Sequence, residues 1–226
     1  MKVLKKFKAL YEKSPKISEL KKQTDENYIA FKNKQGLPVA ITNVKKFMRY
    51  MPHEPSFYKF FERYQTFWII PCDTPDGEIY GFLLRSVGGK GFRVCRAEGA
   101  PQLLYGFHTF KNFVYGQKII LVEGAKDAEF LSSFYPFTLA MLTDSLSVDG
   151  IKILKMLTNR VVLGLDNDPA GKRMRFVLRK RLTEARISVS EIIPDLQDWG
   201  CYFSKDSPST KEEIRLLMGV EGLAVS

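Results

Sequence analysis

From Lys118 to Ile193 the sequence alternates short apolar runs with stretches of helical periodicity, and no other feature restricts the possible folds as much. The runs 119–122, 137–142, 161–165 and 189–193 are short and mostly rich in β-branched and other apolar residues, so they read as buried strands. Between them, 126–134, 147–157 and 169–185 place apolar residues at helical spacing, and Pro169 occupies the favoured first position of the longest helix. Strands and helices alternating through short connections predict a parallel-rich sheet covered on both faces. Further on, Thr210 and Glu213 precede Ile214, Leu216 and Leu217 in a capping-box pattern, which predicts a helix in 206–226.

In such a sheet the carboxyl ends of the strands share one edge, so acids far apart in sequence can meet there. Glu123-Gly124 follows the first run, and Asp166-Asn167-Asp168-Pro169-Ala170-Gly171 follows the third. An aspartate after a strand often only caps the next helix. Capping alone does not explain two aspartates and a glycine together with Glu123-Gly124. A calcium loop of the EF-hand type is excluded, because Ala170 and Val177 stand at its fifth and twelfth positions, where oxygen ligands are required. Clustered carboxylates that suit Mg²⁺ are the better account: this hard cation is usually held by one or two carboxylates plus substrate phosphates and water.

With 226 residues and 45% hydrophobic content, the chain can bury one sizeable core or two small ones. Its 35 Lys and Arg exceed its 25 Asp and Glu, giving a net charge of +10 that favours a polyanionic partner. The basic helix 169–185 contributes Lys172, Arg173, Arg175, Arg179, Lys180 and Arg181 around an apolar stripe. Its cations form either a solvated face or a phosphate-contacting one. Cys72, Cys95 and Cys201 are odd in number and widely spaced, against a disulfide framework and against a zinc module. His53 and His108 are isolated and receive no role. No long apolar run or signal-like amino terminus occurs, so a cytoplasmic location is expected, the host cytoplasm if the source is viral.

Residues 1–65 form a Lys-rich, mixed segment with short amphipathic helices suggested near Val3–Tyr11 and Val44–Met51. Residues 66–116 change character. The β-rich runs 67–71 and 78–84 flank Thr74-Pro75-Asp76-Gly77, a turn in which proline presets φ and glycine accepts positive φ, so a hairpin is predicted. The aromatic run from Phe57 to Trp68 reads as core. The expected organisation is therefore a mixed segment over 1–65, a small β-rich lobe over 66–116, an α/β domain over 117–205 and a helix with tail over 206–226.

The block Ile119 to Asp127, the Asp166 and Asp168 pair with Gly171, and the segment Pro194 to Tyr202 together resemble the TOPRIM domain. The hairpin landmarks Ile70-Pro71, Asp76-Gly77, Gly81-Phe82 and Arg85, followed by Leu104-Tyr105-Gly106, resemble the polymerase core of DnaG-type primases. The resemblance covers roughly residues 66–205. It implies an α/β TOPRIM domain, a parallel-rich sheet flanked by helices, preceded by a small mixed α+β lobe. It implies a nucleotidyltransferase that makes short RNA primers on single-stranded DNA during replication, with Glu123, Asp166 and Asp168 catalytic. Mg²⁺, with Mn²⁺ as substitute and without zinc, would be held by Asp166, Asp168, Glu123 and Asp198, with Asp127 as an acid beside them. Arg85, Arg93, Arg96, Lys126, Lys172 and Arg173 would contact nucleic acid or nucleotide. Gly200 stands where the family carries a further acid, and Gly99-Ala100 where it carries a lysine. The implied partners are the template strand, ribonucleoside triphosphates and a replicative helicase or other replisome protein, and no membrane. The length suggests a minimal core without the flanking zinc ribbon and helicase-binding bundle. Two alternatives use the same features: a TOPRIM nuclease, or a non-catalytic nucleic-acid-binding subunit.

Overall fold

The computed structural model describes residues 30–32, 38–40, 67–73, 79–86, 92–96, 101–110 and 112–199. Two sheets organise them. The first is antiparallel and five-stranded, with β1 (Ala30–Lys32), β2 (Pro38–Ala40), β3 (Phe67–Asp73), β4 (Ile79–Ser86) and β5 (Phe92–Arg96) in sequence order. The expected hairpin is β3 with β4, in register from Phe67 opposite Ser86 to Cys72 opposite Gly81. The sequence pattern does not announce β1, β2 or β5. Three-residue strands are too short to show alternation, and Phe92-Arg93-Val94-Cys95-Arg96 alternates without a clear polar face. The helices suggested near residues 3–11, 44–51 and 206–226 lie outside the described residues.

The second sheet is parallel, with strand order β7-β6-β8-β9. Its strands are β6 (Ile119–Val122), β7 (Thr138–Ala140), β8 (Arg160–Leu163) and β9 (Ser188–Glu191), joined by α1 (Ala125–Ser132), α2 (Val148–Leu157) and α3 (Pro169–Glu184). Every residue of β6 and β7 is buried, as expected of strands covered on both faces. Leu121, Leu139, Leu163, Leu154, Leu182 and Trp199 are among the fully enclosed side chains of the core. At the first turn of α2 the Ser147 hydroxyl accepts from the Gly150 amide.

The connector between the sheets is pinned to the edge of the second. Tyr105 donates its amide to the Ala140 carbonyl at 3.0 Å and accepts from the Ala140 amide at 2.8 Å, adding an antiparallel bridge to β7. Gly106 follows at φ 120°, and a Cβ there would stand 2.3 Å from the Thr138 carbonyl oxygen. The Leu-Tyr-Gly signature is thus a backbone requirement as well as a sequence landmark. Gly106→Ala is expected to cost at least ~2 kcal/mol and to lower Tm by roughly 4–8 °C in thermal unfolding, with no change in the composition of the carboxylate centre.

Candidate metal centre and nucleic-acid cleft

Glu123 and Gly124 leave the end of β6 and run into the first turn of α1. Asp166 and Asp168 leave the end of β8, and Asp168 is the N-cap of α3. Parallel pairing of β6 with β8 brings these two strand ends side by side, and the Asp166 amide donates to Glu123 Oε1 at 3.3 Å. Asp198 arrives from beyond β9. Its segment is tied in by the Asn167 amide donating to the Gln197 carbonyl at 2.8 Å, and by Trp199 Nε1 donating to the Gly164 carbonyl at 2.8 Å. Asp127, on the first turn of α1, is buried at 8% exposure, and its charge acts on Asp166.

The capping role and the acidic-centre role divide among these residues. Asp168 Oδ1 accepts the Gly171 amide at 2.6 Å, which is ordinary capping. A Cβ on Gly171 would lie 2.1 Å from the Asp166 carbonyl oxygen, so the turn closes only around glycine. Asp166 caps nothing. Its Oδ1 is buried and has no hydrogen-bond partner. Its pKa is pushed up to about 7, first by burial and then by the charges of Asp127, Glu123, Asp198 and Asp168. Glu123 is also raised, by burial first. The Asp166 amide and Arg175 pull it back, while Asp168 and Asp144 push it further up.

Such a group of acids fits a cation. The orphaned Asp166 oxygen gains a partner, and the mutual repulsion that raises both pKa values is neutralised. Among the described residues no three acids close into a ready-made cage. Mg²⁺ does not need one, because phosphate oxygens and water complete its shell.

A cleft of about 450 Å³ opens on this centre. Glu123, Gly124, Asp127, Thr143, Asp144 and Asp166 form its acidic wall, and Leu83, Arg85 and Phe92 of the antiparallel sheet form the other. Arg85 and Phe92 are register partners, so they share a sheet face, and both are exposed. Arg93 pairs with Leu84, one position out of that register, which puts it on the opposite face and half-buried. Arg96 pairs with Gly81, and its side chain lies outside the described residues. Lys126 is partly buried on α1, whereas Lys172 and Arg173 are exposed on α3. Gly200 and Gly99-Ala100 are outside the described residues.

Several residues here were not singled out from the sequence. Asp144 follows the second apolar run just as Glu123 and Asp166 follow theirs, and that strand-end position was the available signal. Gln102, 4% exposed, donates through Nε2 to the Met141 carbonyl, Thr143 Oγ1 and the Ser145 carbonyl, and accepts from the Ser147 amide. It fixes the loop that carries Asp144. Arg175, 5% exposed, donates to the carbonyls of Leu165 and Asp166 at 2.9 and 2.7 Å and so braces the carboxylate turn from behind. Arg175→Met is expected to lower unfolding free energy by about 2–4 kcal/mol in urea titration, since it leaves two carbonyls without a charged donor. Arg175→Lys should recover part of it.

Residues 120–203 match the family model described as Toprim-like. A DNA primase of Helicobacter pylori is 26% identical over 115 residues, covering 48% of this chain and 21% of the relative. The chain therefore spans about a fifth of that curated protein. Among solved structures, the primase catalytic core of Escherichia coli superposes with a TM-score of 0.60 at 17% identity, covering 88% of this chain and 73% of that one. A DnaG primase catalytic domain bound to single-stranded DNA gives 0.60 at 19% identity, covering 81% and 63%. The zinc-binding and RNA polymerase domains of the Aquifex aeolicus primase give 0.56 at 23% identity, covering 69% and 40%.

Proposed function

We propose that this chain, which carries a Toprim domain and shares the fold of DnaG-type primase catalytic cores, is a nucleotidyltransferase that makes short RNA primers on single-stranded DNA. The observation that carries the reading is the buried, partnerless Oδ1 of Asp166, set among Glu123, Asp127, Asp168 and Asp198 on a cleft whose far wall bears Arg85 and Phe92.

Asp166 and Asp168 are the residues to hold Mg²⁺ or Mn²⁺, with Glu123 and Asp198 completing the set. When bound, the cation supplies neutralisation of charge on the phosphorus oxygens and on the leaving pyrophosphate. The rest falls to the chain's own groups. Glu123, beside Asp166 at the end of β6, either completes that set or takes the proton from the attacking hydroxyl. Asp168 is fixed through one oxygen by the Gly171 amide, which leaves its other oxygen to serve as a ligand. Arg85 neutralises a phosphate on the opposite wall, and Phe92 offers a stacking face to an unpaired base. Arg93, Arg96, Lys126, Lys172 and Arg173 extend the electropositive surroundings that draw in template and triphosphate.

The setting follows from the chemistry. Template strand and ribonucleoside triphosphates are its substrates, a helicase or other replisome protein is its partner in exposing the strand, and the cytoplasm is its compartment. Among the described residues no helix is long and apolar enough to cross a membrane.

The test is synthesis itself. Purified chain, single-stranded DNA, labelled ribonucleotides and Mg²⁺ should give template-dependent oligoribonucleotides, absent with Asp168→Asn. Strand degradation without nucleotides would show a nuclease instead. Equal synthesis by Asp168→Asn would remove the metal assignment.

A further inference from the structure

On the outer side of α3, Phe176 is 76% exposed, the most exposed of the large apolar side chains among the described residues. A ring left in water at mid-helix forgoes the burial that a core-facing position would have given it. Its neighbours one turn away in each direction are all cations: Lys172 and Arg173 before it, Arg179 and Lys180 after it, each exposed. Arg179 is paired with Glu191 on β9 at 2.8 Å. Among the described residues, Lys172, Arg173 and Lys180 make no ion pair.

Apart from Arg173, this face is separate from both clefts that adjoin the acidic centre. The 450 Å³ cleft takes nothing from α3. A second opening of about 420 Å³ lies against Ala170, Arg173, Met174, Val177 and Arg181 together with Glu123 and Asp144. At 100° per residue, the position of Phe176 points well away from the middle of that group, toward the β9 side of the helix. Phe176, Lys172, Arg179 and Lys180 line neither cleft, while Arg173 borders the second.

An exposed ring framed by cations, three of them without an ion pair among the described residues, complements a flexible polyanion whose planar groups are free to stack. A duplex hides its bases. A plain protein surface offers no regular phosphates, and the like charges of Lys172, Arg173 and Lys180 oppose docking of a second copy face to face. We propose that the outer face of α3 is a second single-stranded nucleic-acid contact, in which a base stacks on Phe176 while Lys172, Arg173 and Lys180 neutralise the flanking phosphates. This surface goes beyond the catalytic reading and does not depend on it.

The experiment uses the full chain, a labelled oligothymidylate and a hairpin duplex of equal charge. Phe176→Ala is expected to weaken oligothymidylate binding by about 5- to 100-fold, with duplex binding and Tm unchanged. Phe176→Trp is expected to restore affinity and to show tryptophan quenching on addition of the oligonucleotide beyond that of the parent chain. Lys180→Ala should reduce the slope of log affinity against log salt by about 0.7, while Phe176→Ala leaves it alone. An unquenched tryptophan at position 176 overturns the proposal, as does equal loss of single-strand and duplex binding in Phe176→Ala. Loss of a dimer in that variant, read by light scattering, would assign the face to a second copy and also overturn it. Asp168→Asn should lose synthesis yet keep the quench, so the two readings fail separately.

Discussion

Asp166→Asn is expected to reduce Mg²⁺-dependent synthesis by about a hundredfold or more while making the metal-free protein more stable at pH 8. The activity figure follows from the position of the residue. Outer-shell partners of a metal ligand cost roughly 10–100-fold, and a carboxylate that holds the ion directly costs more. The stability gain comes from the same atoms. In the folded chain the Asp166 carboxyl is raised to about 7, above its unfolded value near 3.8, by burial and by Asp127, Glu123, Asp198 and Asp168. The native state therefore holds this proton more tightly than the unfolded chain, and stability falls as pH climbs from about 4 to about 7, then levels. Near pH 4 the parent and the amide variant should melt together. At pH 8 the variant should melt roughly 5 °C higher, and Mg²⁺ should raise the parent far more than the variant. Identical melting curves for the two at both pH values, with and without Mg²⁺, would show that Asp166 carries no such repulsion.

Trp199→Ala is expected to destabilise the fold by about 3–5 kcal/mol and to disable the centre at the same time. Trp199 is fully buried and donates to the carbonyl of Gly164, the residue that continues β8 toward Asp166. Truncation opens a cavity behind the carboxylate turn and releases the segment that carries Asp198. Tm should fall by roughly 10 °C, and Mg²⁺ should stabilise the variant less than the parent. Trp199→Phe keeps most of the volume and loses the donor, so it should recover most of the thermal stability. A Trp199→Ala protein with parental Tm would mean that the indole is not the anchor that its burial indicates.

The parallel sheet was legible because period and punctuation agreed. Apolar runs too short for helices, Pro169 at a helix start and glycine after each acid all pointed to strands feeding helices, and β6 to β9 appear with their helices between them. The carboxylate positions were readable by the same logic, since strand ends in a parallel sheet have only one edge to share. Asp144 carried that signal too, but a single acid without an adjacent glycine looks like any loop residue. Gln102 and Arg175 were hidden for a different reason. Both act on backbone carbonyls of distant segments, and nothing in a sequence marks which carbonyl lacks a partner. Arg93 was grouped with Arg85 by the family resemblance. Only the register of β4 with β5 shows that successive basic residues there face opposite ways. The short strands β1 and β2 owe their existence to pairing onto β3, a tertiary effect that local propensity does not contain.

The bridge between Tyr105 and Ala140 has a consequence for solubility. β7 is the outermost strand of the parallel sheet, and an outermost strand presents unpaired amides and carbonyls on which another chain can nucleate. By folding back on that strand, Tyr105 occupies both groups of Ala140. The opposite margin, β9, is guarded by its composition, Ser188-Val189-Ser190-Glu191, with its serines exposed and Glu191 held by Arg179. The Leu-Tyr-Gly landmark is thus an edge guard as well as part of the connector between sheets, and its loss should appear first as aggregation of the chain during expression.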